Sequence, residues 1–212
     1  MEQFIPNYEN KIQYILSLVK DVNNIQILEL GVREGISTNY FLKICKKKNG
    51  KLISIDIDDC SKVSNDKNWK FIKSRDDNFN LIDTYLRNKL DLIYIDSYHE
   101  PNHIKKVFYH YFKFLKIGGF CIIDDISWLP YCKGEYRDNQ FIENINRSIF
   151  NKILQIYNQN KKKFSLEFFF EGSGLAIIKK KESQLNDSKM IFSREFSFKN
   201  IIKKIFGIKP KK

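Results

Sequence analysis

Residues 25–37 read Ile-Gln-Ile-Leu-Glu-Leu-Gly-Val-Arg-Glu-Gly-Ile-Ser, an apolar run that breaks into two glycines four residues apart. A run so short and so apolar suits a strand buried on both faces, as in a parallel sheet. The two glycines, Gly31 and Gly35, let the backbone turn tightly and approach a ligand closely. No glycine stands at 33 or 34, so the turn is not the GxGxxG of pyrophosphate-binding dinucleotide folds. A helix is expected from about Ser37 to Lys48.

Outward from this motif the chain alternates. Strands are expected at Lys51–Asp56, Trp69–Lys73, Asp91–Asp96 and Phe120–Asp124. Between them lie a helix from about Phe79 to Arg87 and another that opens at Pro101. Ile104, Val107, Phe108, Tyr111, Phe112 and Leu115 form the apolar stripe of the second, which Gly118-Gly119 is expected to end. Upstream, Tyr8, Ile12, Ile15, Leu16 and Val19 recur at helical spacing. Downstream comes a helix with Phe141, Ile145, Ile149 and Ile153 inward. A closing hairpin follows, Phe164–Phe170 with Leu175–Lys179, joined across Glu171-Gly172-Ser173-Gly174. The reading is an α/β fold with a seven-stranded, mostly parallel sheet, a C-terminal antiparallel hairpin and helices on both faces. It divides into an N-terminal helix (1–24), a main domain (25–180) and a tail (181–212).

Composition narrows the classes. The 212 residues are 42% hydrophobic and 15% aromatic, enough for a full core, so general disorder is excluded. No apolar run reaches the roughly 18 residues of a membrane-spanning helix. MEQFIPNYENK has neither a basic start nor an apolar stretch, so no secretory signal is expected. Cys45, Cys60, Cys121 and Cys132 show no metal-knuckle spacing, Cys121 reads as a packing residue, and a reduced, soluble, cytoplasmic protein is expected. From Lys179 onward, eleven basic residues face three acidic ones, so +8 of the net +12 sits in the last 34 residues. A nucleic-acid enzyme would more often spread that charge around its cleft.

In parallel sheets ligands bind beyond the carboxyl ends of the strands, near the point where strand order reverses. The polar residues there are Glu29, Asp56, Asp96 and the pair Asp124-Asp125. A lone glycine turn is often only a turn, and a lone strand-end Asp caps a helix about as often as it binds a ligand. Their joint occurrence, in order, is what carries weight.

The succession ELGVREGIS, SIDID, DLIYIDSYHE, LKIGGFCIIDD resembles the class I S-adenosylmethionine-dependent methyltransferases over roughly residues 25–180. It is most similar to the metal-dependent O-methyltransferases of the macrolide-sugar type. The resemblance implies a Rossmann-like fold and S-adenosyl-L-methionine as methyl donor. It implies that Glu29, Gly31, Gly35 and Ser37 hold the methionine part of the cofactor and that Asp56 binds its ribose. Ser74, Arg75 and Asp76 would flank the adenine. It also implies that Asp96, Asp124 and Asp125 hold a divalent cation such as Mg²⁺, with Asp96 beside the cofactor as well. Three carboxylates at one sheet end do repel unless a cation joins them, and all-oxygen ligation suits Mg²⁺, Mn²⁺ or Ca²⁺. His99 is either a solvated loop histidine or the general base that deprotonates a substrate hydroxyl. The acceptor this implies is a sugar, a glycan or another small hydroxylated molecule.

Trp128, Tyr131 and Tyr136 either stack on a sugar ring or seal an edge or dimer contact, and Cys132 shows no activating neighbour. His103 and His110 read as surface or packing residues. An RNA 2′-hydroxyl methyltransferase ranks second, because that class uses a catalytic lysine and none stands at the ends of the fourth or fifth strands. A cofactor-binding scaffold without activity is the third reading. In the tail, Phe198, Ile201, Ile202, Ile205 and Phe206 share one helical face, with Lys199, Lys203 and Lys204 off it. Such a helix docks on its own domain, on a second subunit, on nucleic acid, or on an anionic membrane surface, which would set the protein peripherally at the inner face.

Overall fold

The opening motif folds as strand β1 (Gln26–Leu30), a turn through Gly31 and Gly35, and a following helix. The computed structural model describes residues 8–128, 139–187 and 198–206. In chain order the elements are α1 (Tyr8–Leu18), β1, α2 (Ile36–Lys47), β2 (Lys51–Asp56), β3 (Trp69–Lys73), α3 (Phe79–Ile82) and β4 (Leu90–Ile95). Then come α4 (Pro101–Phe112), β5 (Leu115–Asp124), α5 (Gln140–Asn160), β6 (Phe164–Phe169), β7 (Leu175–Lys180) and α6 (Phe198–Ile205).

The strands form one seven-stranded sheet ordered β3-β2-β1-β4-β5-β7-β6. From β3 to β5 every pairing is parallel; β7 runs antiparallel to both β5 and β6. Strand order reverses between β1 and β4, so the carboxyl ends of those two strands open the crevice that the fold reserves for ligands.

Both faces are covered, which explains the unbroken apolar runs. On one face Leu28, Ile93, Ile95 and Ile123 pack with Phe108 and Phe112 of α4 and Ile149 and Ile153 of α5. On the other, Ile27, Leu52, Leu92 and Ile122 pack with Ile12 and Ile15 of α1 and Phe41 of α2. Cys45, Cys60 and Cys121 are buried and unbridged, Cys121 within the strand core. Helix α4 starts where Pro101 sits in its first turn and the Glu100 carboxylate accepts from the Asn102 and His103 amides at 3.0 and 2.7 Å. Its far end is held by the buried Lys180 ammonium, which donates to the carbonyls of Phe112 and Leu115 at 2.6 and 2.7 Å.

Three expectations need correction. The segment after Phe79 is one turn of helix, Phe79–Ile82, and then a chain of turns to Arg87. Leu115 belongs to β5, not to the α4 stripe. The strand pairs at Leu115 with Leu90 and again at Phe120 with Leu92, and the residues between bulge out through Gly118, whose φ is +84°. Phe141, expected inward, is 74% exposed, because the buried face of α5 begins a turn later with Ile145 and Asn146.

Candidate active site

The glycine turn shows first how the crevice is shaped. Gly31 has φ +96°, and a side chain there would run into the Asp96 carbonyl oxygen. The end of β1 therefore lies directly against the end of β4. Gly35, at φ +78°, starts α2 with its Cα facing Val63.

Glu29 and Ser37, expected to hold the methionine part of the cofactor, are turned inward. Glu29 is fully buried and accepts from Ser37 Oγ at 2.6 Å, Thr38 Oγ1 at 2.8 Å and Ser54 Oγ at 2.6 Å. Burial pushes its carboxyl up to about 7 against the pull of those three hydroxyls. Through these bonds Glu29 ties β1 to α2 and β2 beneath the glycine turn.

Asp56 does face the crevice. Its Oδ2 accepts from the Val32 and Arg33 amides at 2.8 and 3.1 Å, and its Oδ1 from the Asp58 amide at 3.0 Å. Partial burial pushes this carboxyl up, but the amides outweigh it and hold it below the ordinary range. It is an ionised acceptor at the end of β2.

The Ser74–Asp76 segment follows β3. Arg75 turns outward and pairs with Asp77 at 2.9 Å, and the Ser74 hydroxyl donates to the Arg75 carbonyl at 3.1 Å. Asp76 is buried, accepts from Ser97 Oγ at 2.5 Å and pairs with His103 at 2.9 Å. Its carboxylate braces β3, β4 and α4. His103 and His110, read as surface or packing residues, are joined to Asp76 and Asp83, the latter at 2.7 Å.

At the ends of β4 and β5 the acidic residues divide into two groups. Asp124 is buried; its Oδ1 lies 2.6 Å from the Lys11 ammonium and 2.9 Å from Ser173 Oγ, and its Oδ2 accepts from Tyr94 Oη at 2.5 Å. Burial alone would raise its carboxyl, but Lys11 and Tyr94 hold it below the ordinary range. Asp125 has a left-handed backbone, φ +58°, which turns its side chain away from its neighbour's. Asp96 Oδ1 and Asp125 Oδ2 each lie 3.5 Å from His99 Nε2. That separation is too long for a hydrogen bond, and the buried Nε2 has no other partner. Burial pulls His99 down, yet the two carboxylates outweigh it and push it up to about 9. Burial and Asp124 push Asp125 up to about 6. One ligand atom from each of Asp96, His99 and Asp125 lies within 4.8 Å of the others, a spacing that fits a metal ion.

Residues 28–126 match the family model of a methyltransferase domain. That match covers 99 of the 212 residues, just under half of the chain. No curated protein matches it. Among solved structures, the chain is similar to a Staphylococcus aureus protein classed as a caffeoyl-CoA O-methyltransferase. The TM-score is 0.64 at 19% identity, over 81% of this chain and 83% of that one. It is similar to the SAH-bound Podospora anserina methyltransferase PaMTH1, with TM-score 0.63 at 14% identity over 81% and 78% of the two chains. MycE of mycinamycin biosynthesis, bound to Mg, SAH and mycinamycin VI, gives TM-score 0.57 at 16% identity. That match covers 87% of this chain but only 52% of MycE. The likeness to all three lies in the fold.

Sequence reasoning missed three residues of the crevice: Lys11, Tyr94 and Ser173. The signals were faint but present. Lys11 stands beside Ile12 and one turn before Ile15, on the inward side of α1, where a lysine is out of place without a partner. Tyr94 is the single hydroxyl in Leu90–Ile95, two residues before Asp96. Trp128 packs edge-on to Phe150 at 6.0 Å under the Arg147 guanidinium, which favours the sealing role. Tyr131, Tyr136 and Cys132 lie outside the described residues.

Proposed function

We propose that this methyltransferase moves a methyl group from S-adenosylmethionine to a hydroxyl of a small acceptor, a sugar or glycan, with a divalent cation at Asp96 and Asp125. The observation that carries this is the meeting of Asp96, His99 and Asp125 beside the glycine turn, with His99 Nε2 lacking a hydrogen-bond partner. Asp124, grouped with the metal ligands on sequence grounds, is instead held by Lys11 and Tyr94, so the cation falls to the other two carboxylates.

The cofactor supplies an electrophilic methyl on a sulfonium, and an oxygen-preferring cation such as Mg²⁺ lowers the pKa of a hydroxyl beside it. In the transfer, the acceptor oxygen forms a bond to the methyl carbon while the carbon–sulfur bond breaks and its electron pair returns to sulfur. The hydroxyl proton goes to His99 Nε2. His99 is a base only when neutral, and Asp96 and Asp125 hold a proton on it up to about pH 9. Sharing those carboxylates with a cation is what would free it at neutral pH. Asp56 takes the ribose hydroxyls, and the Gly31 and Gly35 turn gives the methionine part its close approach.

The first test is calorimetric titration with S-adenosylhomocysteine, with and without Mg²⁺; micromolar binding is expected, and no binding in either condition would refute the reading. His99→Ala is then expected to lose roughly 100-fold in turnover with S-adenosylhomocysteine affinity retained. An unchanged rate would remove His99 as base.

One observation favours a second reading. RNA 2′-hydroxyl methylation ranked lower for want of a lysine at the strand ends, and Lys11 reaches Asp124 from α1. Its ammonium is buried and already shared by Asp124 and Ser173, so it is poorly placed to meet a ribose. Methyl incorporation from labelled cofactor into ribosomal RNA fragments, and none into free sugars, would reverse the order.

A further inference from the structure

We propose that α6 is a membrane-surface anchor that takes an anionic lipid bilayer as its partner. The helix displays Phe198 (80% exposed) and Ile205 (73%), with Ile201 beside them, on one face, and Phe206 (72%) follows directly. These positions recur at i, i+3, i+7 and i+8, and Ile202 at i+4 completes the stripe. An eight-residue helix with that much apolar surface in water is not self-supporting, so its exposed face requires a cover.

The charge pattern says which cover. From Phe196 to Lys212 the chain has six lysines and no acidic residue. Lys199, Lys203 and Lys204 flank the stripe, and Lys209, Lys211 and Lys212 follow it. Lysine stems lie along apolar surface with their ammonium groups raised to a phosphate layer, and a run of cations with no acid among them suits a surface of uniform negative charge. No helix among the described residues is long and apolar enough to cross a membrane, so attachment of this kind lies in the plane of the surface. The inference is independent of the acceptor's identity.

The experiment is vesicle co-sedimentation of the full chain. Vesicles of phosphatidylcholine alone are compared with phosphatidylcholine containing about one third phosphatidylglycerol, each at low and high salt. At least tenfold more protein is expected on the anionic vesicles, falling sharply at high salt as the lysines are screened. The double variant Ile201→Glu/Ile205→Glu is expected to lose sedimentation while keeping the wild-type melting temperature and S-adenosylhomocysteine affinity. Equal binding of wild type and variant, or no binding of wild type, overturns the proposal. So does a wild-type dimer, absent in the variant, that ignores vesicles: the face would then join two copies. Retention on single-stranded RNA without retention on vesicles overturns it in favour of nucleic acid. Loss of S-adenosylhomocysteine binding by the wild type would strike the functional reading and leave this one standing.

Discussion

Lys11 and Asp124 form the buried ion pair on which the rest of the crevice leans. Removing one charge from such a pair strands the other in a low-dielectric site, at a cost of about 3–5 kcal/mol. Lys11→Met is therefore expected to lower unfolding stability by about that much in urea. The double variant Lys11→Met/Asp124→Asn is expected to recover most of it, since neither charge is then left alone. If the double variant is as unstable as the single, the pair is not what holds α1 to β5. Glu29 makes a pH statement. Its folded-state carboxyl titrates at about 7 against an ordinary 4.5, so the folded state holds a proton that the unfolded chain has given up. Stability from this group is complete below about pH 4.5 and is lost as pH rises through about 7. At 1.36 kcal/mol per unit the loss is at most about 3 kcal/mol. Glu29→Gln is expected to flatten that part of the pH profile in denaturant titrations. A slope unchanged from pH 5 to 7.5 would contradict the assignment.

At the scale of elements, the turn from β1 to α2 admits no side chain at Gly31. Gly31→Ala would need φ near +96° and would push against the Asp96 carbonyl, so β1 and β4 would have to separate where the crevice begins. The expected outcome is a loss of S-adenosylhomocysteine binding larger than the loss of stability. Equal binding in the variant would show that the turn and the cofactor site are unconnected. This turn was legible in advance, because two glycines after an apolar run have few other uses. The strand at Leu115 was not. Lys116 to Gly119 looks like a helix terminator in one dimension, but Leu115 pairs with Leu90 ahead of the bulge, with Lys116 2.7 Å from Asp91 across the two strands.

For the whole molecule, a ligand at the switch point bridges β1, β2 and β4 and so should stabilise the sheet as a unit. With S-adenosylhomocysteine at about 100 times its Kd, linkage adds about 2.7 kcal/mol, a rise of roughly 5–10 °C in melting temperature for a domain of this size. Scanning calorimetry should show that rise in the Ile201→Glu/Ile205→Glu variant too, and not in Gly31→Ala. An absent shift in wild type would mean that the switch point is not the cofactor's place.

Strand–helix alternation, the antiparallel hairpin, the glycine turn and the strand-end acids were all written in local sequence. Buried strands must be apolar, turns need glycine, and polar groups inside a parallel sheet gather at its carboxyl ends. The division of labour among those acids was not local. Asp124 and Asp125 are adjacent and chemically alike, yet Lys11, 113 residues away, neutralises one, while a left-handed backbone turns the other toward His99. Glu29 looked like a ligand by position and became a brace because Ser37, Thr38 and Ser54 converge beneath it. Periodicity shows which side of an element is buried, but the partner that a buried charge meets there is chosen by elements far away in the chain, and that choice exists only once the sheet has closed.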